Sequence, residues 1–560
     1  MAKQTLNGRT AFLKLLEDEG VTHVFGNPGT TELALMEAMP SAEGIQYVLA
    51  LQESVVLSMA DGFARASGRL TACNLHCTPG LGHAMGALYN AKFSGSPVIV
   101  TAGQYEIGYG LTEPMLYEPL VRIAEPLVKW AYEIQSIEEL PRVVRRAAKI
   151  ALTPPCGPVF LSLPGSILDD VAELELGTRT RVHAHGIPNA ALLAELVEAM
   201  LASNAPAIIA GRELDEQGAM SDAARLAEML GAAVYHEPIP YNTRYPTSER
   251  TFVGDLTRDQ RKARAQLEKH DLVICLGADL LRMSAFSEVD PLPETASVMH
   301  ISERDWELGK NYPTQFAVRA GVADMLAALL PLLGTAQHPE HLAAAKARLS
   351  RIESTNWMSR RRDILARLAS AAVTSPLDPA QLARCVAQTA AEHRAIVVEE
   401  APTTAPLLAS MLVTDRPKSS FGLASGGLGF GMGGAVGAAL ANPGVPVVAL
   451  IGDGSAMYAI QALWTAAHLK LPIIYVIVNN KAYRIIKERL VSMRNCDQFL
   501  GMDITNPALS FTDMARGMGV EATKATSAQE VQAALDRSLA QAGPTLIEVL
   551  VDAGVQRAEH

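Results

Sequence analysis

The stretch from Val447 to Tyr483, VVALIGDGSAMYAIQALWTAAHLKLPIIYVIVNNKAY, constrains the fold more than any other part of the chain. An apolar, β-branched run, Val447 to Ile451, breaks at Gly452-Asp453-Gly454. A helix-length segment follows, and a second apolar run spans Ile473 to Val478. A strand, a crossover helix and a parallel strand produce this pattern. The ends of parallel strands are where open α/β sheets bind ligands. Asp453 and Asn480 are 27 positions apart, which lets one oxygen from each strand end meet at a single point. Two hard oxygen donors suit Mg²⁺ or Ca²⁺, and the small residues Gly454 and Ser455 at a helix start leave backbone N–H groups for a phosphate. An Asp-Gly turn and an Asn-Asn turn with no ligand would explain GDG alone. The paired strands and the spacing together favour the ligand.

At 560 residues the chain is too long for one core and implies about three domains. The 49% hydrophobic and 19% charged content is that of a globular protein in water. A net charge of −11 and the absence of a basic stripe argue against nucleic acid or an anionic membrane as partner. Six cysteines, Cys73, Cys77, Cys156, Cys275, Cys385 and Cys496, form no paired framework. Cys73 and Cys77 lack a second pair, so zinc is not expected, and reduced thiols fit a cytoplasmic protein. The N-terminus reads as an amphipathic helix, with neither signal peptide nor membrane span expected.

From Asn7 to about Leu163 strands alternate with helices, which predicts a mostly parallel, doubly wound sheet. Strands are expected at Thr22 to Phe25, Gln46 to Leu51, Leu70 to Leu75, Pro97 to Thr101 and Val159 to Leu163, with a Gly-rich turn from His76 to Gly82. Pro164 to Asn189, which contains HAHGIP, reads as a connection. A second α/β unit runs from Asn189 to about Leu333, with strands at Ala207 to Ala210, Ala232 to Tyr235, Leu272 to Leu276 and Val298 to Ile301. Gly211 and Gly277 follow strands there, but no GxGxxG is present, so FAD is not expected. Gly334 to Ser375 reads as an exposed helical linker. A third unit starts near Leu377, and Gly422 to Gly434, GLASGGLGFGMGG, reads as a second Gly-rich turn. The fold class expected is α/β with three doubly wound parallel-sheet domains, at 1–170, 189–335 and 376–560.

Glu53 sits where a strand gives way to a helix whose Val55, Val56, Met59 and Phe63 recur at helical spacing. It is either an ordinary first-turn charge or a buried acid at a strand end. The words VFGNPGTTEL, LALQE, DGFARASG and NLHCTPGLGHAMGALYNA, together with GDG and the later NN, resemble the thiamin diphosphate enzymes over nearly the whole chain. The resemblance is to the 2-oxo acid decarboxylases of the benzoylformate decarboxylase type, and more distantly to acetolactate synthase.

That resemblance implies that Glu53 bonds N1′ of the cofactor's aminopyrimidine, and that Asp453, Asn480 and the carbonyl of Ala482 hold the metal. It further implies that Leu428 wedges beneath the cofactor, with the Gly426 carbonyl accepting from the 4′-amino group. Thr403, Thr404, Gly452, Gly454, Ser455 and Tyr483 complete the cofactor site. His76 and His83 are the candidates for proton delivery, and Thr30 matches the place of a substrate-binding hydroxyl. The implied activity is non-oxidative decarboxylation of a 2-oxo acid, with carboligation a possible accompaniment, by a homodimer at minimum and a homotetramer by family habit. The alternatives are an acetolactate synthase-type carboligase or a catalytically silent assembly subunit. Two departures bear on substrate. LGADLLRMSAFSE has Ser284 or its neighbours where a second active-site histidine is expected. Arg484, Lys487, Arg489 and Arg494 follow the NN motif, either as a solvated helix face or pointing inward toward an anionic substrate.

Overall fold

The computed structural model describes residues 3–182, 186–239, 241–242, 244–284, 286–372 and 374–555. Among them the chain forms three six-stranded sheets and one two-stranded ribbon. The chain divides into two compact units: residues 183–371 with 408–421 form one, and the flanking N- and C-terminal segments form the other.

In the first sheet the order is Gln46–Leu49, His23–Gly26, Thr71–Leu75, Val98–Gln104, Val159–Pro164 and Ala131–Glu133, and every pairing is parallel. Thr71–Leu75 and Val98–Gln104 are buried along their whole length, as central strands covered on both faces must be. The helix Gly8–Asp18 starts where Asn7 Oδ1 accepts from Thr10 N, an N-cap written in the sequence as LNGRT. Val171–Leu174 returns from the end of this sheet to pair antiparallel with Gln4–Asn7, so the first part of the expected connection, Gly165–Asp169 and Val171–Leu174, is structured. The histidines His183 and His185 of HAHGIP lie outside the described residues.

The last sheet is centred on Val447–Gly452, flanked by Ile396–Glu400 and Ile473–Asn479, with Thr545–Leu550 and Glu521–Ala525 beyond. Those pairings are parallel too. Between Val447–Gly452 and Ile473–Asn479 the crossover is two short helices, Asp453–Ala456 and Ala462–His468, where the sequence implied one.

The remaining unit carries the central sheet, in the order Phe252–Asp255, Ala233–His236, Pro206–Ala210, Leu272–Leu276, Ser297–Ser302 and Phe316–Arg319. Alternate residues feed opposite cores. Ile208 and Ala210 join one cluster while Ala207 and Ile209 join the other, which is what a doubly wound sheet requires. Of the linker expected at Gly334 to Ser375, residues 334–371 belong to this unit. They include the helices Pro339–Thr355 and Trp357–Ser370, and Trp357, 4% exposed, is packed into the core.

Both Gly-rich turns are shorter than the sequence implied. The helix Cys77–Ser94 begins directly after His76, and Phe430–Ala441 begins inside the second glycine run. For the second run the reason is close packing. A Cβ on Gly437 would lie 2.1 Å from Met59 O, and one on Gly62 would lie 2.3 Å from Gly434 O. Two helices, Glu53–Ser67 and Phe430–Ala441, therefore touch backbone to backbone, and burial outweighs the intrinsic reluctance of glycine to be helical.

Candidate active site

At the ends of two neighbouring strands of the last sheet, Gly452 pairs with Val478, so Asp453 and Asn480 leave the sheet side by side. Both are buried, at 4% and 8% exposure. Asp453 Oδ1 accepts from Gly454 N at 2.8 Å, and Oδ2 accepts from Lys481 N at 2.7 Å. Lys481 has φ +58°, and this left-handed turn aims its N–H at Asp453 while setting Asn480 and Ala482 on either side. Ala482 N donates to Asn480 Oδ1 at 3.0 Å. Burial pushes the Asp453 carboxyl upward against four backbone N–H groups that oppose the rise.

This cluster fits a hard divalent cation. Among the described residues no Lys or Arg is ion-paired with Asp453, whose oxygens accept only from main-chain N–H groups. No set of three His, Cys, Asp or Glu side chains among the described residues could hold a metal alone. Any cation here would therefore depend on amide and main-chain oxygen, the donor set of Mg²⁺ or Ca²⁺ rather than zinc. Gly454 is required by a neighbour, since a Cβ there would sit 2.7 Å from the ring of Tyr483. Ser455 is buried in the short helix that follows.

The acidic end lies at the N-terminus of Glu53–Ser67, where the Gln52 side chain caps Ser54 N and Val55 N. Glu53 is buried, at 8% exposure. Its Oε1 accepts from Asn27 Nδ2 at 3.2 Å, and its Oε2 lies 3.1 Å from His83 Nδ1 on a largely exposed ring. Of the two readings of Glu53, the buried acid is the correct one. His76 is separate. Its Nδ1 lies 2.9 Å from Oε2 of Glu32, a carboxylate with no exposure at all. Glu32 also accepts from Gly29 N, Gly103 N and Thr31 Oγ1. Thr31 Oγ1 in turn sits 3.2 Å from both His76 Nδ1 and Cys77 Sγ. The hydroxyl brought to His76 is thus that of Thr31, while Thr30 stands exposed beside it. Gly80 spaces the two groups, its Cβ position being 3.4 Å from His76 Cβ and 3.5 Å from Glu53 Cγ.

The turn bearing Gly426 and Leu428 is held by Glu400, a fully buried carboxyl at the end of Ile396–Glu400. Its oxygens accept from Gly429 N at 2.7 Å and Gly431 N at 2.5 Å. Burial raises this carboxyl to about 8, the two amide bonds opposing. Gly426 and Gly429 have φ +84° and +105°, so the turn needs glycine at both places. Leu428 is half-buried between them, and Thr403 and the buried Thr404 lie just after the Glu400 strand.

Three family profiles match in order: the thiamine pyrophosphate enzyme N-terminal TPP binding domain over residues 6–115, the central domain over 193–329 and the C-terminal TPP binding domain over 403–549. Benzoylformate decarboxylase of Pseudomonas aeruginosa is 35% identical, with 96% of this chain and 98% of that one aligned. The chain belongs to the thiamine pyrophosphate enzyme family.

Within this family, acetolactate synthase isozyme 1 large subunit of Escherichia coli is more distant, at 27% identity over 98% of this chain and 95% of its own. A thiamine diphosphate-dependent 4-hydroxybenzoylformate decarboxylase of Rhodococcus jostii RHA1 superposes with TM-score 0.86 at 33% identity, covering 98% of this chain and all of that one. Benzoylformate decarboxylase from Polynucleobacter necessarius gives TM-score 0.87 at 28% identity, covering 98% of this chain and 99% of its own.

Two of the cations after the NN motif, Lys487 and Arg484, are committed to partners within the chain. Lys487, 7% exposed, has Nζ 2.5 Å from Asp503 Oδ1 and lies over the ring of Phe499. Arg484 pairs with Glu488 and donates to the Asp552 carbonyl, while Arg494 is exposed. The solvated-face reading therefore fails at Lys487. Ser284 is exposed, and Ala285 beside it lies outside the described residues. Sequence reasoning missed Glu32, Asn27 and Glu400. For Glu32 a signal existed, an acid three residues after a turn glycine, the spacing with which a side chain reaches back to a helix-entry N–H.

Proposed function

We infer that this chain is a thiamin diphosphate-dependent carboxy-lyase that removes CO₂ from a 2-oxo acid, as its benzoylformate decarboxylase relatives are named for doing. The observation that carries the reading is Glu53, a buried carboxylate at a strand-to-helix junction, bonded on one oxygen by Asn27 and approached on the other by His83. Bound thiamin diphosphate supplies the electron sink that accepts the electrons released with CO₂. Asp453, Asn480 and the Ala482 carbonyl would hold Mg²⁺ against its diphosphate, with Gly452, Gly454 and Ser455 offering small side chains and backbone N–H groups. Thr403, Thr404, Gly426, Leu428 and Tyr483 would enclose the rest.

Glu53, placed at N1′, holds and returns a proton there, and its burial strengthens that hydrogen bond relative to water. His76 and His83 each face a carboxylate through Nδ1, which leaves Nε2 of either ring for exchange with substrate oxygen or carbon. Thr30, exposed at the same turn, offers a hydroxyl to substrate. Because Lys487 is neutralised by Asp503, an aromatic or aliphatic 2-oxo acid fits better than a dicarboxylic one. We further propose an N-terminal domain at 1–170 and a C-terminal domain at 376–560, with the central domain begun at 189–335 and extended by the helices Pro339–Thr355 and Trp357–Ser370, together with a homodimer or homotetramer and a cytoplasmic setting. Among the described residues no helix is long and apolar enough to cross a membrane.

The test is CO₂ release from aromatic, aliphatic and dicarboxylic 2-oxo acids with cofactor and Mg²⁺ added. Release from one class, cut by orders of magnitude in Glu53→Gln while calorimetric cofactor binding persists, supports the reading. Acetolactate formed from pyruvate as main product favours the carboligase, and cofactor binding without turnover on any acid favours a silent subunit.

A further inference from the structure

One buried amide joins the helix that follows His76 to the glycine turn bearing Leu428. Asn90, 1% exposed, lies near the end of the helix Cys77–Ser94 that begins at His76. Its Nδ2 donates to Asp61 Oδ2 at 2.7 Å. Its Oδ1 accepts three bonds from the glycine turn: Ala424 N at 3.1 Å, Ser425 N at 3.2 Å and Ser425 Oγ at 3.1 Å. Ser425 Oγ also accepts from Gly427 N at 3.1 Å, so the amide's grip is passed to the residue before Leu428.

The supports around it are specific. Asp61 is fully buried on the helix that begins at Glu53, and it also accepts from Ser96 Oγ. Arg65, one turn further, donates to the Gly422 carbonyl at 3.0 Å and stacks over Phe430 at 4.5 Å, so the turn is fastened at both ends. A Cβ on Gly427 would lie 2.8 Å from the Gly86 carbonyl, which shows the turn pressed against the same helix that bears Asn90. An asparagine is the one uncharged side chain of this length that can give to a carboxylate and accept from main-chain N–H at once. Aspartate would set two carboxylates together in a dry site. Leucine would orphan three donors.

We propose that Asn90 is a positioning residue for the cofactor turn: it fixes the Gly426–Leu428 segment in the conformation that meets the cofactor rings. The proposal rests on the thiamin diphosphate reading above. Asn90 itself touches neither cofactor nor substrate; it acts through Ser425 and Gly427. Its consequence is a division of labour. The Asp453–Asn480 end grips the diphosphate independently of Asn90, whereas the ring end depends on it.

The test compares wild type with Asn90→Ala, using Ser425→Ala as a milder second variant and Leu428→Ala for a double-mutant cycle. Calorimetry measures two probes with Mg²⁺ present, thiamin diphosphate and inorganic pyrophosphate, and thermal unfolding reports the fold. Displacing the turn by about 1 Å is expected to weaken thiamin diphosphate binding and to cut kcat by roughly 10²-fold. Pyrophosphate affinity should stay within about twofold, and Asn90→Ala on a Leu428→Ala background should cost much less than on wild type. Ser425→Ala should shift the same quantities in the same direction by less, and it decides the matter if Asn90→Ala does not fold. Equal loss of both probes, or additive effects with Leu428→Ala, would show a merely structural residue and overturn the proposal. Unchanged thiamin diphosphate affinity and kcat in both variants would overturn it too. If wild type binds no thiamin diphosphate, the functional reading fails first.

Discussion

Replacing Glu32 by glutamine exchanges one oxygen for NH₂ in a site where both oxygens are occupied. Oε1 accepts from Gly103 N at 2.9 Å and Thr31 Oγ1 at 2.8 Å, while Oε2 accepts from Gly29 N at 2.9 Å and faces His76 Nδ1 at 2.9 Å. If the NH₂ takes the Oε1 place, it meets the Gly103 N–H, donor against donor. If it takes the Oε2 place, it meets the Gly29 N–H, and His76 must accept at Nδ1 and carry its proton on Nε2. Either way one buried backbone N–H loses its acceptor, at about 1–3 kcal/mol, and the remaining bonds lose their charge assistance, at about 1 kcal/mol more. The expected loss is therefore about 2–4 kcal/mol, or roughly 3–5 °C in Tm for a unit of this size. Turnover should fall about 10²-fold, because the ring no longer has one enforced tautomer. Thermal unfolding and mass-spectrometric mapping of diethylpyrocarbonate modification at His76 read the two effects separately. Slower modification marks the flipped tautomer, while a wild-type rate with a lowered Tm marks the orphaned Gly103 N–H. A variant with wild-type Tm, modification rate and turnover would refute the view that Glu32 orients His76.

Two further outcomes follow from burial. Glu400, raised to about 8 by desolvation, keeps its proton in the folded chain long after the unfolded chain has lost it near the ordinary carboxyl range of about 4.3. Its contribution to stability is whole below that range and is lost as pH rises toward about 8, so Glu400→Gln should gain Tm relative to wild type between those limits. A Tm difference constant across that window would count against the assignment. Gly437→Ala, with its Cβ 2.1 Å from the Met59 carbonyl, must push the two packed helices apart and should destabilise by about 1–3 kcal/mol despite a better helix propensity. Gly517→Ala, with nothing within 4 Å, should instead gain up to about 1 kcal/mol in thermal unfolding.

The fold was legible because its signals are local. A strand in a doubly wound sheet is a short apolar run that ends at a small or polar residue, and Val447 to Ile451, Ile473 to Val478 and Leu272 to Leu276 need no knowledge of their neighbours to be seen. Strands such as Phe252–Asp255 and Phe316–Arg319 were missed because their burial alternates and they lie at the sheet edges, where the apolar run is weakest. The helix starts were misjudged for a related reason. A glycine run is ambiguous between a turn and a tight helix crossing until the opposing helix is known, and here the opposing backbone at Met59 and Gly62 decides it.

The candidate site divides along the same line. Asp453, Asn480 and Glu53 were visible because each terminates an element, and an element's end is where chemistry concentrates. Their supports were not, because what makes Glu32 a partner of His76 is a contact 44 residues away, and what makes Asn90 a support of Ser425 is one 335 residues away. Neither residue is distinguished by its own neighbourhood in the chain; each becomes informative only when a buried polar atom must be given a partner. In Glu32 four donors converge on a carboxylate with no exposure, and in Asn90 three converge on one amide oxygen. Satisfying that many buried groups with one side chain fixes both its identity and its rotamer. The residues that hold this site in shape are therefore as tightly specified as those placed to do its chemistry, and the sequence shows the second set while only the fold shows the first.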